Sequence, residues 1–283
     1  MEIIPWNEED KDSALSYLEK HSHCSMFLLG NLERYGPTMG DAVNSGQYWI
    51  IRDGNEIRGV FSLTKRGNAL FHVDVRILEA ELCEDILDRL VTQPAPISGL
   101  LGNWEAINVL ATAFVYNGIW QDVSQNMREI SYSLDDLSPF QKQESVRFLT
   151  PDDYPRWRKF RMEYLLECNL SLGLREDQLK DGFMQDVKSK LHWGYCVNKQ
   201  LLAIASLNGR YRDIAQVGGV YTSPECRGSG FAQAIIKQQL FDIREQFKGK
   251  KAVLFTNKEN IVAQKTYEKI GFKQRGLFGM IFP

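Results

Sequence analysis

Apolar residues recur along the chain at two spacings, and the changes between them mark its elements. Phe231, Ile235, Ile236, Leu240, Ile243 and Phe247 fall at helical intervals, so the spacing predicts an amphipathic helix ending near 247. Directly after it, Ala252-Val253-Leu254-Phe255 is short and wholly apolar, the pattern of a buried strand. Upstream, a strand is expected at 145–149. A helix then runs from a start at Thr150 to about Glu167, with Trp157, Phe160, Tyr164 and Leu165 near one face. A second helix is expected at 176–191, between Gly173 and Gly194. Two apolar runs, 195–197 and 201–207, flank Asn198-Lys199-Gln200 and predict a hairpin. A strand at 214–222 contains Gly218-Gly219, which signals a bulge or a close backbone approach. Residues 224–230 form a turn. Asn260 can cap a helix ending at Gly271, and 272–283 supply a last strand or hairpin.

The first half repeats this order with weaker signals. Helices are expected at 9–20 and 25–35, and strands at 47–52, 57–64 and 69–75. A helix at 79–91, a strand near 97–101, a helix at 104–116 and a strand at 130–134 complete it. Asn108-Val109-Leu110-Ala111 and Asn260-Ile261-Val262-Ala263 lie 152 positions apart, and each precedes a glycine near a helix end, Gly118 and Gly271. That correspondence suggests duplication of a long unit. The polar stretch 135–144, with Pro139, is the natural linker between domains at 1–134 and 145–283.

Composition adds few constraints. The 283 residues are 43% hydrophobic and 25% charged; this is ordinary globular usage and excludes a disordered, collagen-like or disulfide-scaffold chain. Five scattered cysteines, the lack of a signal-like opening and the lack of an apolar run long enough to cross a bilayer point to a reduced, cytoplasmic protein. The net charge of −2 conceals a split. Residues 1–144 carry 22 acids and 11 bases, whereas residues 145–283 carry 14 acids and 23 bases. The basic half would attract an anionic ligand, or the halves would complement one another across an interface.

The densest chemistry lies in Val217-Gly218-Gly219-Val220-Tyr221-Thr222-Ser223-Pro224-Glu225-Cys226-Arg227-Gly228-Ser229-Gly230-Phe231-Ala232. A strand, a glycine turn and a helix start converge there. Such a turn aims several backbone N–H groups at one point beside the positive end of a helix. Gly228 and Gly230 let a phosphate approach the backbone, and Arg227 adds charge. A P-loop is excluded because Gly-Lys-Ser/Thr is absent. A dinucleotide fingerprint is excluded because Gln233 stands where Gly or Ala is required.

Pro224-Glu225-Cys226-Arg227-Gly228-Ser229-Gly230-Phe231-Ala232 resembles the acyl-CoA pyrophosphate loop of the GNAT acetyltransferase superfamily. The segment from Asn260 through Ala263, Tyr267 and Gly271 to Phe272 resembles its second motif, NxxAxxxYxxxGF. The resemblance covers residues 145–283, while the first half resembles the superfamily in element order only. The whole is similar to a tandem GNAT protein, with a degenerate unit before a competent one. The fold implied is α/β: two GNAT-like domains, each a mixed, mostly antiparallel twisted sheet flanked by helices, with a splayed central strand pair in the second.

The resemblance implies acyl transfer from acetyl-CoA or another short acyl-CoA to an amine of a small molecule or peptide, by direct attack in a ternary complex. Backbone groups of Val220, Tyr221 and Thr222 would pair with the pantetheine arm. Amides of Arg227, Gly228, Ser229, Gly230, Phe231 and Ala232 would hold the pyrophosphate. Asn260 would bond the cofactor arm, Ala263 would keep the helix clear of it, and Lys265 is grouped with them. Tyr267 would act as general acid toward the departing thiolate. The equivalent position of the first half is Val115, and Val75-Arg76-Ile77-Leu78-Glu79 replaces the glycine loop there, so that half is expected to bind no CoA. It would shape the acceptor site or a dimer.

The base is unassigned, because 214–222 contains no acid. Glu167 is a candidate as base or acceptor contact, with Glu163 one turn earlier and Asp213 as a further choice. His21-Ser22-His23-Cys24 reads as a polar helix end rather than a metal site, Cys226 as a spectator, and the cations around 156–161 as a basic helix face. No metal, nucleic acid or membrane is expected, and the chain would be a monomer or homodimer. The alternative to an enzyme is a non-catalytic acyl-CoA sensor or a scaffold module.

Overall fold

The computed structural model describes residues 1–168 and 175–283; Gly173, expected to border a helix, lies outside them. The elements run β1 (Glu2–Pro5), α1 (Lys11–Lys20), α2 (Ser22–Tyr35), β2 (Gly46–Asp53), β3 (Glu56–Thr64), β4 (Asn68–Val73), α3 (Ala80–Val91), β5 (Gly99–Asn103), α4 (Trp104–Tyr116) and β6 (Gln125–Leu134). They continue with β7 (Val146–Phe148), α5 (Tyr154–Glu167), α6 (Glu176–Lys188), β8 (His192–Val197), β9 (Gln200–Tyr211), β10 (Ile214–Thr222), α7 (Phe231–Phe247), β11 (Lys251–Asn257), α8 (Ile261–Ile270) and β12 (Lys273–Phe282). The fold is α/β, with mixed, mostly antiparallel twisted sheet flanked by helices.

By its internal contacts the chain divides into two compact units. Unit 1 comprises Met1–Tyr132, Phe255–Asn260 and Gln274–Pro283; unit 2 comprises Ser133–Leu254 and Ile261–Lys273. A linear division at 135–144 differs from this chiefly in β12, which lies in unit 1 because it pairs antiparallel with β5, from Phe278↔Asn103 to Ile281↔Leu100.

In unit 1 the strand order is β1-β2-β3-β4-β5-β12-β6. Trp49, Phe61 and Phe71 stand directly opposite one another on β2, β3 and β4, and their rings stack at 5.1 and 5.7 Å. Such a cross-strand aromatic ladder sets the register. Leu82, Ile86 and Leu90 of α3 and Ile107, Leu110 and Phe114 of α4 complete this core. The parallel pair β4–β5 is in register from Asn68↔Gly99 to Phe71↔Gly102. Beyond it, the Asn103 side chain bonds both polar groups of Val73, accepting from its N–H at 3.1 Å and donating to its carbonyl at 2.8 Å.

In unit 2 the order is β11-β10-β9-β8-β7. Asn198 and Lys199 both hold left-handed φ, 49° and 66°, so β8 and β9 join through a two-residue turn whose twist suits a hairpin. Tyr154, Trp157, Phe160 and Phe183 of α5 and α6 pack with Leu201, Ile204 and Tyr221. On α7, Ile235, Ile236, Leu240 and Ile243 are buried. Parallel pairing of β10 with β11 extends from Ile214↔Lys251 only to Gln216↔Val253, though both strands continue. The antiparallel partner β9 is offset at the same place. Gly218 faces Ser206 and Tyr221 faces Ile204, so two residues, Gly219 and Val220, oppose one. Gly219 takes φ +58°, and a Cβ there would meet the Ser206 hydroxyl at 3.0 Å. This is a glycine bulge that bends the strand and frees backbone groups.

Candidate active site

Beyond the bulge, β10 ends at Thr222 and the chain turns through Pro224–Cys226 into an exposed loop, Arg227–Gly230. Gly228 and Gly230 hold φ of +79° and +80°, and a Cβ on either would meet nothing within 4 Å. Gly230 immediately precedes α7, whose first intrahelical bond is Ala234 N–H to the Gly230 carbonyl at 3.0 Å. The N–H groups before it have no acceptor within the helix and lie at the positive end of its dipole. Phe231 stacks on Tyr195 of β8 with centroids 4.2 Å apart, which pins the helix start. An open loop with two left-handed glycines at the start of a 17-residue helix fits a pyrophosphate, which needs converging amides and no side chain in the way.

The α5 wall is tied to this loop by a chain of polar contacts. Tyr221 is buried, and its hydroxyl donates to Glu163 Oε2 at 3.1 Å and lies 3.5 Å from Glu167 Oε1. Burial, followed by the Glu163 carboxylate, pushes the phenol pKa up to about 12. Glu167 accepts from Arg227 Nη2 at 2.6 and 2.9 Å, and Arg227 Nε donates to the Thr222 carbonyl at 3.1 Å. The Glu167 carboxylate raises the Arg227 pKa and holds the guanidinium back along the end of β10. Glu167 is therefore an ion-pair partner in this structure. Asp213 precedes the far end of β10, nine strand residues from Thr222, with its carbonyl accepting from Lys250 and Lys251.

On α8, Tyr267 is buried at 8% exposure and sits edge-on to Phe272 at 6.1 Å. It lies close enough to Tyr164 of α5 for its charge to help raise the Tyr164 pKa, an effect led by burial. Ala263 is half-buried and Lys265 exposed on the same helix. Val220–Thr222, Arg227–Ala232, Glu167, Ala263, Lys265 and Tyr267 thus all belong to unit 2. Asn260, exposed and one residue before α8, is grouped with unit 1.

The sequence reads Arg161 as part of a basic helix face, whereas the structure sets it beside Gly219. Sequence reasoning passed over how unit 1 fills the segment after β4. After β4, Asp74 accepts from the Arg76 N–H at 3.1 Å and from the Arg58 and Arg76 guanidinium groups at 2.6 and 2.7 Å. These donors hold its pKa well below the usual carboxylate range, with the Arg76 side-chain hydrogen bond the largest cause. A carboxylate of the chain itself thus occupies the donors after β4. A cavity of about 500 Å³ in unit 1 is lined by His21, His23, His72, Arg58, Asp74 and Asn103, among others.

Residues 152–272 match the acetyltransferase (GNAT) family model. This segment is similar to a GNAT domain. Solved structures extend the likeness to the whole chain as a fold. A Drosophila protein is 14% identical, with a TM-score of 0.66 over 99% of this chain and 98% of its own. A GNAT-family acetyltransferase from Colwellia psychrerythraea is 15% identical, with a TM-score of 0.52 over 100% and 99%. A tandem GNAT protein from the clavulanic acid biosynthesis pathway is 13% identical, with a TM-score of 0.50 over 100% and 98%. No curated protein matches the chain in sequence. Over its whole length the chain shares its fold with these proteins, and the family whose model matches residues 152–272 is one of acetyltransferases. Among the described residues, no helix is long and apolar enough to cross a membrane.

Proposed function

We propose that unit 2 is an N-acyltransferase that moves an acetyl or other short acyl group from acyl-CoA to an amine of a small molecule or peptide, by direct attack in a ternary complex. The observation that carries this reading is the open glycine loop at the start of α7, placed where β10 leaves a parallel ladder that stops at Gln216↔Val253. Acetyl-CoA would supply the thioester. Amides from Arg227 to Ala232 bind its pyrophosphate, and backbone groups of Val220–Thr222 align its arm as an added strand would. N–H groups at the bulge are oriented in advance toward charge developing on the thioester oxygen, and donors of this kind contribute roughly 3–4 kcal/mol. As the N–C bond forms and the C–S bond breaks, Tyr267 gives its hydroxyl proton to the departing sulfur, and the proton shed by the attacking nitrogen returns to the phenolate through solvent. Asn260 and Ala263 border the arm. We place the protein in the cytoplasm, acting without metal, nucleic acid or membrane, as a monomer or homodimer.

The test is calorimetric titration with acetyl-CoA, paired with thiol release over a panel of amines. One site per chain, and a Tyr267→Phe variant with unchanged affinity but turnover lowered about 100-fold, is the expected result. No binding at millimolar acetyl-CoA refutes the reading. A sensor is the second reading, favoured by the acid-free β10 and by the engagement of Glu167 with Arg227; binding without thiol release for any amine would establish it.

A further inference from the structure

The cations of α5 fall into two groups. Arg156 reaches Glu225 at 3.9 Å, Arg158 pairs with Glu176 at 2.7 Å, and Lys159 lies 3.7 Å from Glu163. Arg161 differs. Its Nη1 lies 3.7 Å from the position a Cβ would take on Gly219, so the guanidinium rests against the backbone of the bulge. It also lies over the ring of Tyr164, 5.3 Å from the centroid. Among the described residues, no carboxylate comes within ion-pair distance of it, and none of its five N–H donors makes a hydrogen bond. Burial, the largest cause, holds its pKa below the usual guanidinium value, opposed by Tyr164, Cys168 and Asp186.

A half-buried cation with no counter-charge beside it gains from a ligand that supplies the anion. The fork geometry of a guanidinium suits a carboxylate held by two parallel hydrogen bonds. Its position narrows the source. The phosphates of an acyl-CoA are accounted for by the loop at Arg227–Gly230, at the end of β10 beyond Thr222, whereas Arg161 stands at the bulge with Tyr164, the neighbour of Tyr267. An anion at this point belongs to the acceptor or to the far end of the acyl group.

We infer that Arg161 is the receptor for a carboxylate on the acceptor, so that the amine acylated by this site belongs to an α-amino acid or to a small acid of similar reach. This rests on the acyltransferase reading of unit 2. The guanidinium orients the acceptor so that its amine faces the thioester carbon at the bulge, and it neutralises the carboxylate that would otherwise be stranded in a half-buried site. The same contact discriminates against simple amines, which leave the cation unpaired.

The experiment compares the common α-amino acids with their decarboxylated amines and methyl esters as acceptors, using acetyl-CoA and thiol release, in the native protein and in Arg161→Met and Arg161→Lys. The native protein should prefer the free acids by about 100-fold in kcat/KM, the order expected when a charge-assisted hydrogen bond is lost from a desolvated site. Arg161→Met should abolish that preference through KM while leaving acetyl-CoA affinity unchanged, and Arg161→Lys should restore part of it. Arg161→Met should also melt higher than the native protein, because an uncompensated cation has been removed; a purely structural arginine would melt lower when replaced. Turnover of amines with no preference for the free acid, or a preference that survives Arg161→Met, overturns the inference and leaves the acyltransferase reading standing. A preference that appears only with succinyl-CoA, and is lost in Arg161→Met, moves the carboxylate to the acyl donor and overturns the acceptor assignment. Failure of acetyl-CoA to bind at all removes both readings.

Discussion

Glu129 allows the cost of burying a carboxyl to be measured directly. It lies on β6 in unit 1 at 6% exposure, and burial raises its pKa to about 7 from 4.5. Below about pH 4.5 the side chain is protonated in both folded and unfolded chains and contributes nothing to pH dependence. Between 4.5 and 7 the unfolded chain ionises while the folded one retains its proton, so stability falls as pH rises, by about 1.4 kcal/mol per pH unit. Above pH 7 the loss levels off at roughly 3 kcal/mol. Glu129→Gln keeps the shape and removes the titration. The variant should therefore match the native protein near pH 4.5 and exceed its stability by a growing margin up to about pH 7, reaching roughly 3 kcal/mol and remaining there. Thermal and urea unfolding, followed by tryptophan fluorescence between about pH 5 and pH 8.5, would give the difference curve. A constant difference across that range, or a variant less stable than native at pH 8, would show that Glu129 is ionised in the folded protein and that the reasoning is wrong.

Two further outcomes concern ligand capacity. Gly230→Glu places a negative, bulky side chain at φ +80° over the open loop, and should abolish acetyl-CoA binding by calorimetry without altering the far-UV circular dichroism spectrum. Asn103→Ala removes two hydrogen bonds to Val73 and should lower unfolding stability by about 2 kcal/mol. It should leave acetyl-CoA stoichiometry at one per chain, because Asp74 still fills the donors after β4.

Where an element rests on local periodicity, it could be read from the residues. The strand Ile214–Thr222 and the helix to Phe247 have the expected ends. The four-residue β1 has only Ile3 and Ile4 as a signal and was not anticipated. β6 starts at Gln125 rather than 130, because Gln125-Asn126-Met127-Arg128 shows no alternation. Residues 272–283 read as a strand but carry no mark of their partner, since pairing with β5 is decided about 180 positions away in the sequence. In the candidate site, the glycines were legible because left-handed φ restricts residue choice. The Tyr221–Glu163 bond joins residues 58 apart and leaves no local trace. Arg161 belongs to a basic run that reads as one solvated face; only packing against Gly219 separates it from Arg156 and Arg158.

The pairing of β12 with β5 bears on how the chain is made. Unit 1 has received its residues through Tyr132 long before its last strand, Gln274–Pro283, exists. At roughly 5–20 residues per second, the ribosome needs on the order of 8–30 s to add the intervening stretch. During that interval the edge of β5 is an open ladder, and the nascent half must stay soluble without the strand that closes it. A gene cut at the polar stretch 135–144 would fix that interval permanently, yielding an N-terminal fragment with an unpaired edge and a C-terminal fragment carrying a spare strand. Added β12 peptide should then rescue the first fragment from aggregation, as donor-strand complementation does for other incomplete sheets.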